Sequence, residues 1–120
     1  MNIEHVAYMY RHPAEVAAWY VQHLGFRIVR KMEHQPFTHF LADSSGKMMV
    51  EIYHNPAAPL LDYAGLAPIQ LHLAFVSADP GADRDRLTRA GATVHTDTTL
   101  TPDGDELIML RDPWGFAIQL

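Results

Sequence analysis

At 120 residues the chain is of a size for one compact domain, burying roughly two-thirds of its extended surface. Nine basic against 14 acidic residues give a net charge of −5, and no run of Lys or Arg forms a stripe able to track phosphates, which argues against nucleic acid and an acidic membrane surface as partners. The absence of cysteine removes disulfides, thiolate ligands and thiol nucleophiles; with no leader-like start and no apolar run near ~20 residues, a cytoplasmic location is expected.

The first predicted element is a strand from Ile3 to Met9. A helix follows from Pro13 to Leu24, with proline at a tolerated early position, Val16, Trp19, Tyr20 and Leu24 at helical spacing, and Gly25 as the stop. Strands are predicted at Phe26 to Lys31, Phe37 to Ala42 and Met48 to Tyr53, the last two joined by a turn over Asp43-Ser44-Ser45-Gly46. The stretch 55–68, with Pro56, Pro59, Gly65 and Pro68, reads as a linker with room for one short helical turn. A strand then runs from Leu71 to Val76 and a helix from Pro80 to Ala90, ended by Gly91. Strands at Thr93 to Thr99, Glu106 to Leu110 and Phe116 to Leu120 complete the chain.

The order βαβββ therefore occurs twice, in halves 1–54 and 69–120 of one domain spanning 1–120. Short motifs repeat with it. Ile3-Glu4-His5-Val6-Ala7 returns as Gln70-Leu71-His72-Leu73-Ala74, and Asp43-Ser44-Ser45-Gly46 returns as Asp112-Pro113-Trp114-Gly115. In each half an imidazole and an oxygen donor stand at matched places: His5 and Glu51 are 46 residues apart, His72 and Gln119 are 47 apart. Pseudo-twofold symmetry brings four such donors toward one point, the number a divalent metal takes. A lone strand glutamate ordinarily lies on a wet face and a lone strand histidine is ordinarily structural; joint placement at equivalent repeat positions tips the reading toward metal. A carboxylate within Met48-Met49-Val50-Glu51-Ile52-Tyr53 also costs several kcal/mol unless paired, solvated or coordinated.

Two motifs resemble the vicinal oxygen chelate superfamily, also called glyoxalase/bleomycin-resistance/dioxygenase. Trp19-Tyr20 with Leu24-Gly25-Phe26 looks like its aromatic-x-x-x-Leu-Gly-Phe helix end, and 112–120, Asp-Pro-Trp-Gly-Phe-Ala-Ile-Gln-Leu, is similar to its Asp-Pro-Asp-Gly-Asn-x-Ile-Glu-Leu ending. The resemblance covers His5 to Gln119. It implies an α+β fold of two βαβββ modules forming a cupped mixed sheet around a metal, and a homodimer in which many members build each site from modules of two chains. It implies His5, Glu51, His72 and Gln119 as metal ligands, Gln119 departing from the commoner glutamate.

Two neutral imidazoles, one carboxylate and one amide leave a divalent ion with net charge +1. The set suits zinc, nickel, manganese, cobalt or ferrous iron. The expected activity is glyoxalase I-like lyase or isomerase chemistry on a small substrate with vicinal oxygens, where a proton is taken from carbon and returned. Glu51 is the one residue of the set able to serve as the catalytic base. An extradiol-type iron dioxygenase is less favoured, since its carboxylate would have to be Glu51. Phosphonate chemistry wants a cationic cluster, and Arg11, Arg27, Arg30, Lys31, Lys47 and Arg111 do not make an evident one. The reading from a different class is a non-catalytic protein sequestering a flat drug against Trp114, Phe37, Tyr53 and Tyr63, although aromatics at such places are most often core; a retained donor set argues against it.

His12, His23, His34, His54 and His95 have no repeat counterpart and read as surface or loop residues. His39 lies mid-strand with its face unassigned; facing the cup it would serve as a proton carrier.

Overall fold

A computed structural model describes residues 1–120. The chain divides into two compact units, Met1–Leu61 and Asp62–Leu120. The first contains β1 (His5–Met9), α1 (Pro13–Leu24), β2 (Arg27–Lys31), β3 (His39–Ala42) and β4 (Met49–Tyr53). The second contains a 3₁₀ turn (Tyr63–Gly65), β5 (Leu73–Ala74), α2 (Pro80–Arg89), β6 (Thr93–Leu100), β7 (Glu106–Arg111) and β8 (Ala117–Gln119). Each unit is a βαβββ module with its own four-stranded mixed sheet, ordered β1-β4-β3-β2 and β5-β8-β7-β6. The first and last strand of each module pair in parallel, and the remaining pairs are antiparallel. The fold is α+β with the module order expected from the sequence.

Helix α1 forms where Pro13 fixes the first turn and the apolar residues recur at helical spacing, burying Val16, Ala17, Trp19 and Tyr20. It packs on β2, β3 and β4, where Leu41 and Ile52 are fully buried. Gly25 ends it in the left-handed region at φ 72°, a conformation glycine adopts without steric cost. The N–H groups of Gly25 and Phe26 both turn to the Tyr20 carbonyl, and the Phe26 ring meets Tyr20 at 5.7 Å. The Leu-Gly-Phe motif is thus a helix stop that returns an aromatic ring to the helix.

The second unit is built on a more polar helix. Asp79 caps α2 by accepting from the Ala82 N–H, and Leu87 is the helix's buried residue, set on β6 and β7. Ile108, Leu110, Phe116 and Ile118 complete that core. The Ser77 hydroxyl donates to Asp83 at 2.6 Å and, with the Arg86 guanidinium, holds that carboxyl below the usual range.

Asp112, buried, accepts from the Trp114 and Phe116 N–H groups and closes the β7–β8 turn. Gly115 sits at φ 91°, and a Cβ there would lie 2.8 Å from the Ala64 Cβ. The Arg111 guanidinium donates to the carbonyls of Tyr63 (2.9 Å), Gly115 (2.8 Å) and Leu66 (2.8 Å). It is a structural bolt rather than a free cation of a binding site.

Strand ends are where sequence and structure differ most. β1 begins at His5 instead of Ile3, and β5 is two residues rather than the six from Leu71 to Val76. The turn before β5 explains its later start. Gln70 takes a backbone bond to the Ala67 carbonyl while its side chain accepts from the Ala67 N–H, so the chain leaves the turn only two residues before Leu73.

Candidate functional site

His5 and Glu51 meet in the first unit. Parallel pairing sets Ala7 opposite Glu51, so His5, two residues earlier on the same face, lies diagonal to it. His5 Nε2 stands 3.1 Å from Glu51 Oε2, and Nδ1 stands 2.9 Å from Glu4 Oε2. Glu51 is not isolated in apolar surroundings: its side chain is 20% exposed. Phe40, opposite Glu51 on β3, presents its ring to His5 edge-on at 5.3 Å, and the Arg30 guanidinium lies 4.1 Å from the centre of that ring.

The second unit repeats this register. Ala74 pairs with Gln119, and His72 precedes Ala74 by two residues. His72 Nδ1 donates to the Pro68 carbonyl at 2.8 Å, which leaves the Nε2 lone pair free in the neutral tautomer. His72 and Gln119 line one cavity of about 390 Å³, with His95, Thr96, Leu107 and Met109 on its wall.

His39 belongs to the other face. It pairs with Ile52, shares its side with Leu41, is buried, and donates Nδ1–H to the Phe37 carbonyl at 2.7 Å. His39 thus faces away from the His5–Glu51 side of the sheet, and the condition for a proton-carrier role is not met. Among the aromatics proposed for a drug groove, Tyr63 is core, packed edge-on to Phe116 at 5.0 Å. None of Trp114, Phe37, Tyr53 and Tyr63 lines the His72 cavity.

Two residues escaped the sequence reading. Glu4 orients His5, and its signal was adjacency: a carboxylate next to a donor histidine. His95 is exposed, as expected of it, yet lines the cavity that holds His72 and Gln119.

The donor types fit a divalent ion, and so does the geometry of the first pair. Neighbouring ligands with bonds of ~2.1 Å are about 3.0–3.4 Å apart for octahedral to tetrahedral angles, which brackets the His5–Glu51 spacing. That spacing also suits a hydrogen bond. No group of three or more His, Cys, Asp or Glu side chains gathers to hold an ion.

The sequence matches the Glyoxalase/Bleomycin resistance protein/Dioxygenase superfamily over residues 2–120, and the chain belongs to that superfamily. Among curated proteins none matches. Similar solved structures include SMU.1112c, at 25% identity and TM-score 0.76, covering 100% of this chain and 97% of that one. TnmS3, an antibiotic binding protein from Streptomyces sp. CB03234, aligns at 20% identity and TM-score 0.72, covering 100% and 93%. A glyoxalase I mutant from Zea mays aligns at 18% identity and TM-score 0.77, covering 99% of this chain and 44% of its own.

Proposed function

We propose that the protein is a metal-dependent lyase or isomerase of glyoxalase I-like type, acting on a small substrate with two vicinal oxygens. The observation that carries this reading is the shared register: an imidazole and an oxygen donor recur at the same diagonal position of the β1–β4 and β5–β8 pairs. His5, Glu51, His72 and Gln119 are the proposed ligands. A bound divalent ion would polarise the substrate's paired oxygens.

Glu51 is the proposed base, taking a proton from the carbon beside those oxygens and returning it. Glu4 holds the His5 ring through Nδ1, and the Pro68 carbonyl holds His72 through its own Nδ1, so both rings offer Nε2. Arg30, spread over Phe40 near His5, adds a positive charge suited to an anionic substrate edge. Two copies per assembly are part of the proposal, because the outer strands β2 and β6 leave Ile28, Val29, Val94 and Leu100 exposed.

The test is metal content by plasma mass spectrometry on protein purified without tag or chelator, with His5→Ala and Glu51→Ala alongside. About one transition metal per chain, lost in both variants, is expected. Wild type that takes up no zinc, nickel or iron would sink the reading and leave a metal-free small-molecule binder, for which the His72 cavity is the site.

A further inference from the structure

We propose that His95 is a ligand-contacting, specificity-determining residue of the second unit's cavity, and that this cavity takes a single-ring molecule with an oxygen-bearing edge. The proposal deepens the preceding reading and rests on it for the vicinal oxygens, while its cavity stands independently of any metal.

The backbone carries the argument. Along β6, Val94 pairs with Leu110 and Thr96 with Met109, so His95 is an extra residue with no partner of its own on β7. Strict alternation would send His95 and Thr96 to opposite faces, yet both line the one cavity. A β-bulge removes the conflict, since the inserted residue bends the strand and re-aims its side chain. The first unit has the same device. Ile28 pairs with Leu41 and Arg30 with Phe40, leaving Val29 as the extra residue of β2. Matching the two registers makes Val29 the counterpart of His95. The fold thus accepts an apolar residue at this bulge, and the second unit has a hydrogen-bonding one there.

The lining joins two kinds of side chain: Ile69, Leu107 and Met109 are apolar, while His72, His95 and Gln119 carry donors and acceptors. A dry cavity of ~150 Å³ admits benzene, so about 390 Å³ admits one ring with substituents. Such a molecule lays its ring on the apolar side chains and turns its oxygen-bearing edge to the polar ones, with one hydrogen bond made to His95.

Benzohydroxamate, a ring carrying two adjacent oxygens, is the probe. It is titrated into metal-free and zinc-treated protein, following the Met109 methyl and His95 ring signals by NMR, for wild type, His95→Val and His95→Gln. The expected result is joint movement of both signals in at least one preparation. Affinity should fall about tenfold in His95→Val, the worth of one good hydrogen bond, and stay within about threefold in His95→Gln. Wild-type affinity in His95→Val, binding that leaves the His95 signals still, or no binding by folded wild type in either preparation overturns the proposal. Zinc uptake is read separately on the same samples: His95-dependent binding by protein that takes up no zinc defeats the metal reading and leaves this one standing.

Discussion

His5 stands between two carboxylates: Glu4 holds Nδ1 at 2.9 Å, and Glu51 lies 3.1 Å from Nε2. The Glu4 contact is made at Nδ1, the ring nitrogen away from Glu51, where it fixes ring rotation. Glu4→Ala should therefore weaken zinc binding, by about tenfold given the exposure of Glu4 and the 10–100-fold range of such outer contacts, while leaving the stoichiometry unchanged. Competition against a chromophoric chelator measures this, and an unchanged dissociation constant would remove Glu4 from the site. What the sequence marks at this scale is the repeat: it singles out His5, Glu51, His72 and Gln119 at matched places, and the two strand pairs carry them in the same register. His95 could not be singled out, because its placement depends on which residue of β7 each residue of β6 faces, and pairing register is not written in one strand alone.

Among the elements, α1 was readable to the residue, since Pro13 and Gly25 punctuate it and tertiary packing reinforces the same boundaries. β5 was not, because side-chain and backbone bonds of Gln70 hold the preceding turn against the β-propensity of Leu71 and its neighbours. His39 shows the same limit within a strand: alternation separates two faces without saying which one α1 covers. The β7–β8 turn yields a sharp expectation. Gly115→Ala meets both an unfavourable φ and the Ala64 methyl, and should destabilise by roughly 1–3 kcal/mol in chemical denaturation. Adding Ala64→Gly should return only part of the steric cost, because the backbone N and Cα of residue 64 lie 3.0 and 3.1 Å from the same Cβ. A Gly115→Ala protein as stable as wild type would show that the close approach is dispensable.

For the whole molecule, the superfamily fold follows from a pattern repeated in order, strand by strand, whereas its assembly has no comparable mark in the sequence. β2 and β6 are edge strands exposed along their lengths, and Ile28 and Val94 hold equivalent places on them. Sedimentation at tens of micromolar should give about 27 kDa, twice the 13.5 kDa of one chain. The combined Ile28→Lys and Val94→Lys change should move it toward 13.5 kDa without loss of helix signal. A wild type that sediments as a monomer would end the two-copy proposal.

The Arg111 bolt bears on how this chain can vary. With the carbonyls of Tyr63 and Leu66 fastened to it, and Ala64 seated against Gly115, the entry to the second unit keeps its place whatever precedes it. The residues just upstream, 55–59, are exposed and make only a local turn around Asn55. New sequence spliced between Asn55 and Leu61 would therefore be absorbed there as a longer loop, and that span is where a graft or a reporter peptide belongs.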